Sequence, residues 1–208
     1  MLISRMISYI THPILIVTYM LAFILFQKES YLYYTITPSG RWFFLMIAVL
    51  LTVVAPLISV GYLVYTKQIS SFYMDQRQER IIPMTISAAY TFGLYYMFLK
   101  FSMPPVIMAI VGVGVIGVII TLLITLFWKI SAHMMGIAGL SGAILGISQS
   151  FHPISDFIVM SLFVLAGFVG TARIKQDAHT LNQILIGWLI GFIISYGGMI
   201  YLMDRSFT

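Results

Sequence analysis

The 208 residues are 61% hydrophobic and only 8% charged, and mean hydropathy is +1.02, which excludes an ordinary soluble domain. There is no cysteine, so disulfides, thiolate chemistry and Cys-ligated metals are ruled out. The formal charge of +5 suits anionic lipid head groups or phosphate, and without a Lys/Arg-rich run no nucleic-acid partner is expected.

Apolar runs long enough to cross a bilayer recur along the chain, and breakers separate them. The first spans Met6 to Phe26, too long for a signal-peptide core, and is read as a retained span. The second is Trp42 to Tyr65, the third Met84 to Leu99, and the fourth Val106 to Trp128 after the Pro104-Pro105 turn. The fifth, Met134 to Ile147, is short and glycine-rich; the sixth is Phe157 to Thr171 and the seventh Leu181 to Met203. The fold predicted is therefore all-α: a polytopic transmembrane helical bundle of about seven spans, with six possible. Residues 1–208 form a single integral membrane domain, multi-pass and surrounded by membrane lipids. The small residues Gly136, Gly139, Gly142 and Gly146 predict close helix packing, and Gly112, Gly114 and Gly117 are given the same role. His12-Pro13 reads as a span start and His152-Pro153 as a turn.

Three polar islands interrupt the apolar sequence, at Lys67 to Pro83, Lys129 to His133 and Ala172 to Gln183. They follow the second, fourth and sixth spans, so all three lie on the membrane face of the N-terminus. Charge this close to hydrocarbon is costly, and it is retained mainly where it is used. In the third island a helix starting near Asp177 puts His179 in its first turn. Gln183, four residues on, then shares its face and reaches the imidazole. Ser131 similarly predicts a helix cap with His133 in the first turn. Asp75 and Glu79 are expected to pair with Arg77 or Arg80. Two histidines at helix starts, ringed by Arg77, Arg80, Lys129 and Arg173, suit phosphoryl transfer.

Arg173-x5-His179-x3-Gln183 resembles the third signature of the type 2 phosphatidic acid phosphatase superfamily, Ser-Arg-x5-His-x3-Asp. Ile130-Ser131-Ala132-His133 is similar to the second, Pro-Ser-Gly-His, and Arg80-x2-Pro83 to the end of the first, Lys-x6-Arg-Pro. The resemblance covers a core of about 67–203. It implies a metal-free, cofactor-free enzyme in which His179 is the nucleophile and His133 the general acid. Arg80, Arg173 and the Ser131 region would hold the phosphate, and Arg77 would supply the charge of the missing Lys. The departures are Ala172 for Ser, Ala132 for Gly and Gln183 for the Asp that orients the nucleophile.

The implied function is a membrane lipid phosphatase or diphosphatase acting through a phosphohistidine, with a phospholipid or polyprenyl phosphate as substrate. The alternative is a degenerate relative that binds or transports phosphorylated lipids, kept open by Gln183. The positive-inside rule puts the island face in the cytoplasm, whereas bacterial members of the family commonly work on the outer face.

Overall fold

A computed structural model describes residues 2–74 and 76–207, the last three without their side chains. All regular structure among the described residues is helical. Helices α1 (Leu2–Ile10) and α2 (Pro13–Phe26) meet at a bend of 57°. The single first span expected from hydropathy is thus broken. The reason is local: Pro13 removes a backbone donor and biases the preceding residue away from helix. His12 is accordingly extended and caps α2, its Nδ1 accepting from the Ile14 amide at 3.4 Å.

After the short α3 (Leu32–Thr35), α4 (Pro38–Val49) passes through a π turn at Leu50–Val54 into α5 (Ala55–Tyr65). Pro56 accounts for the turn, because its missing N–H interrupts the hydrogen-bond ladder. Thr52 within the turn donates to the Ala48 carbonyl at 2.8 Å, so the Thr18 hydroxyl, 2.7 Å away on α2, donates to Thr52. The bundle continues with α6 (Ile81–Lys100), α7 (Pro105–Phe127), α8 (Ala132–Ser150), α9 (Asp156–Lys175) and α10 (Leu181–Phe207).

Among the described residues five helical stretches, with α4, the π turn and α5 counted as one, are long and apolar enough to cross a membrane, or six if the bent α1–α2 pair counts as one span. The remaining expected span is α8. Its glycines and serines leave it less apolar than its neighbours, but most of its surface is buried within the bundle. A helix shielded by other helices has no need of a lipid-facing hydrocarbon surface. Large side chains such as Ile58, Phe127 and Phe157 instead point outward from the surrounding helices.

Helices α8 and α10 run parallel in a fixed register. A Cβ on Gly187 would lie 3.1 Å from the Ser131 carbonyl, and one on Gly191 only 2.4 Å from that of Met135. Farther along, a Cβ on Gly142 would meet the Phe192 carbonyl at 2.7 Å. These glycines bring the two backbones into contact and set the start of α8 beside the second turn of α10. Gly114 packs likewise, 2.7 Å from Val17 once a Cβ is added. Gly117 does not: a Cβ there would meet nothing within 4 Å, so its expected packing role is corrected.

Candidate functional site

The helix starts that carry the two histidines are built differently. Ser131 is the N-cap of α8, its hydroxyl accepting from the Met134 amide at 3.4 Å, and His133 follows in the first turn. Near His179 the expected start at Asp177 is corrected. Asp177, with φ of 51°, closes α9: its amide bonds the Ile174 carbonyl at 2.9 Å, and the Ala178 amide that of Arg173 at 3.2 Å. That pair of bonds is a Schellman motif with Asp in the left-handed position. Helix α10 begins at Leu181, so His179 lies just outside it rather than in its first turn.

Thr180 and Gln183 form a capping box. Gln183 Oε1 accepts from the Thr180 amide at 3.2 Å, and the Gln183 amide donates to Thr180 Oγ1 at 3.5 Å. The same Oε1 lies 3.0 Å from His179 Nδ1. Because the Thr180 N–H can only donate, the Gln atom facing it is the acceptor, and His179 Nδ1 must carry the proton. Nε2 is therefore the nitrogen with the free lone pair. Burial is the main influence holding the His179 pKa down to about 4; the Gln183 bond works in the opposite direction, and the charges of Arg80, Arg173 and Lys129 add to the lowering. The imidazole is neutral at physiological pH.

His179 lines a cavity of about 890 Å³, together with Arg80, Lys129, His133 and Arg173. Five sequence-predicted residues from all three islands thus meet on one space. Arg173 is half-buried: its Nη1 donates to Ser8 Oγ and Gln176 Oε1, each at 3.3 Å, while its Nε is buried without a partner. Arg80 is held by an Nε bond to the Met74 carbonyl at 2.9 Å. His133 is also committed, because Nε2 lies 3.1 Å from the Ser8 carbonyl, which can only accept.

Three of the predicted residues stand apart from the cavity lining. Arg77 donates to the Thr125 and Leu126 carbonyls and so satisfies the C-terminal end of α7. Ser131 is fully buried in its cap, and Gln183 sits behind His179. The expected pairing of Asp75 lies outside the described residues. Glu79 accepts from the amide and hydroxyl of Ser70, at 2.9 and 3.0 Å, rather than from either arginine.

Sequence reasoning missed the contribution of α1 and the loop after it. Ser8 receives His133, Arg173 and Gln176, and Gln176 Nε2 also donates to the Ser4 carbonyl at 2.7 Å. His12 lines the cavity and packs edge-on against His133, with ring centroids 5.2 Å apart. Its position at the start of the first span was the available signal, since span parity already puts it on the island face.

The arrangement offers a neutral imidazole with a free Nε2, opening on a space bordered by fixed cations. Such a site can bind an anion and attack it, or simply hold it. An all-helical bundle with several bilayer-length apolar helices and a cationic cavity under one face suits a multi-pass membrane protein. Comparison of the chain with family models, curated proteins and solved structures yields no match.

Proposed function

We propose that the chain is a membrane-embedded phosphatase of lipid phosphates or diphosphates, a divergent relative of the type 2 phosphatidic acid phosphatases. The observation that carries the reading is the Thr180–Gln183–His179 chain of hydrogen bonds, which leaves His179 Nε2 unprotonated beside Arg80, Lys129 and Arg173. Nε2 attacks phosphorus and the phosphorus–oxygen bond to the lipid breaks. His133, doubly protonated for this step, gives its Nε2–H to the departing oxygen, releasing it from the Ser8 carbonyl, and as the neutral imidazole then takes the proton lost by the attacking water. Water then attacks the phosphohistidine, releasing inorganic phosphate and restoring the imidazole. The arginines and the lysine neutralise the non-bridging oxygens throughout.

The test is phosphate release from a panel of lipid phosphates by the purified protein. Wild type should turn over and form an acid-labile phosphoenzyme; His179→Ala should do neither. Equal release by a folded His179→Ala protein refutes the reading.

A second reading has its own support. Gln183 is neutral, and His133 is already engaged with Ser8. Both favour a protein that binds lipid phosphates without cleaving them. Tight binding of such lipids without turnover by any variant would select it.

A further inference from the structure

The cavity is far larger than a phosphate group needs, and most of its wall is apolar. From the cationic mouth it continues between α2, the π turn and α7, past Thr121 and Gly117 to Gly114 and Val113. Val113 is about 21 Å from the Phe127 end of α7, at 1.5 Å rise per residue. The space therefore runs from a membrane face towards mid-bilayer depth. Thr52 and Val53 of the π turn form part of its wall, and the Thr18–Thr52–Ala48 hydroxyl relay leaves no hydroxyl proton there without an acceptor. Gly117 lines this space, and a Cβ added there would meet nothing within 4 Å.

We infer that this intramembrane slot holds the hydrocarbon chain of a lipid phosphate whose head lies among Arg80, Lys129 and Arg173, and that the bare surface at Gly117 sets how long a chain fits. The inference deepens the proposed function and rests on its choice of a phosphorylated lipid. A continuous space with cations at one end and hydrocarbon along the other matches an amphiphile with an anionic head. It matches neither a free anion nor a neutral lipid. Lipid tails are as apolar as the slot, so entry from the bilayer gains little by hydrophobic transfer. What the slot provides is room, and a bulky residue at 117 takes that room away.

The experiment uses wild type, Gly117→Phe and Gly93→Phe in phosphatidylcholine vesicles. Gly93 is the size-matched control, because a Cβ there also meets nothing within 4 Å and the residue does not line the cavity. Hexadecyl and octyl phosphates bearing a terminal diazirine are photolysed, and the adducts are mapped by mass spectrometry. Phosphate release is measured in the same samples. In wild type and Gly93→Phe the hexadecyl probe should label α7 around Gly117 and the Thr52–Val53 turn. In Gly117→Phe the ratio of hexadecyl to octyl labelling there should fall by about tenfold, equivalent to ~1.4 kcal/mol.

Labelling confined to outward-facing residues such as Phe92 and Leu123 overturns the slot, as does an unchanged ratio in Gly117→Phe. Should Gly117→Phe not fold, the wild-type adduct map decides alone. Slot labelling without phosphate release from any lipid keeps the slot and sinks the catalytic reading. Release without slot labelling does the reverse, and a wild type that shows neither overturns both.

Discussion

In the proposed phosphatase Gln183 would serve both catalysis and folding, and Gln183→Glu separates the two. Glu is the other residue that completes a capping box, so the Thr180 amide keeps its acceptor and α10 keeps its start. What changes is the partner of His179 Nδ1, 3.0 Å away, from a neutral amide oxygen to a carboxylate. A neutral hydrogen bond is worth ~0.5–1.5 kcal/mol and one to a charged group ~1.5–3 kcal/mol. As the phosphohistidine forms, positive charge grows on the ring. The difference of about 1–1.5 kcal/mol then appears in the barrier, close to a tenfold rise in rate. The same carboxylate raises the His179 pKa from about 4 back towards its ordinary value of 6.5. Asp, one methylene shorter than Gln, cannot bridge Thr180 and His179 equally well. Gln183→Asp should lose about 1 kcal/mol of cap energy and gain less rate. Gln183→Leu removes the tautomer lock, and its rate should fall towards the ~10⁴ loss seen when an orienting carboxylate is disabled. The assay is phosphate release beside thermal unfolding of each variant. A folded Gln183→Glu no faster than wild type, or a Gln183→Leu of full activity, refutes the reasoning.

The pH dependence follows from the same imidazole. Phosphate release should persist as pH falls through 6.5 and fail only near 4, and in Gln183→Glu the failing limb should move towards neutrality. Because the folded pKa lies below the unfolded value, the folding contribution of His179 is complete above about pH 6.5 and is lost as pH falls towards 4. That loss is about 3 kcal/mol, visible as a fall in melting temperature that is weaker in His179→Asn. Gly191→Ala drives a methyl group into the Met135 carbonyl and should cost ~1–3 kcal/mol, lowering both melting temperature and phosphate release as α8 and α10 separate. Arg77→Ala should lower the melting temperature while leaving KM unchanged, whereas Arg173→Ala should raise KM, because Arg77 serves the α7 carbonyls and Arg173 the cavity.

Much of this arrangement is legible in the sequence because hydrocarbon enforces it. Runs of apolar residues interrupted by charge locate the helices, and counting spans puts three islands on one face. The pairing of His179 with Gln183 follows from spacing alone, and survives although the helix starts three residues later than Asp177 suggests. The remainder depends on information the chain order hides. A Pro after His12 signals a break, but not that α1 folds over the site and offers Ser8 to α8 and α9. Gly114 and Gly117 look alike in sequence and both line the cavity, yet Val17 fills the space beside the first and nothing within 4 Å fills it beside the second. Arg77 and Arg80 are three residues apart, and only the position of the α7 terminus decides which of them is spent on it. Hydropathy also underrates α8, since it measures fitness for lipid and this helix sees protein.

The contact between Ser8 and Arg173 has a consequence for biosynthesis. The two residues are 165 positions apart, and Gln176 is 168 from the same serine. At ~5–20 residues added per second, between about 8 and 33 s separate the emergence of Ser8 from that of its partners. Helix α1 therefore waits through the synthesis of the intervening helices before Ser8 is satisfied. Every earlier intermediate lacks Arg173, His179 and the α10 register that places His133. The cavity is therefore walled in only after Arg173 and Gln176 have been made and brought back to Ser8.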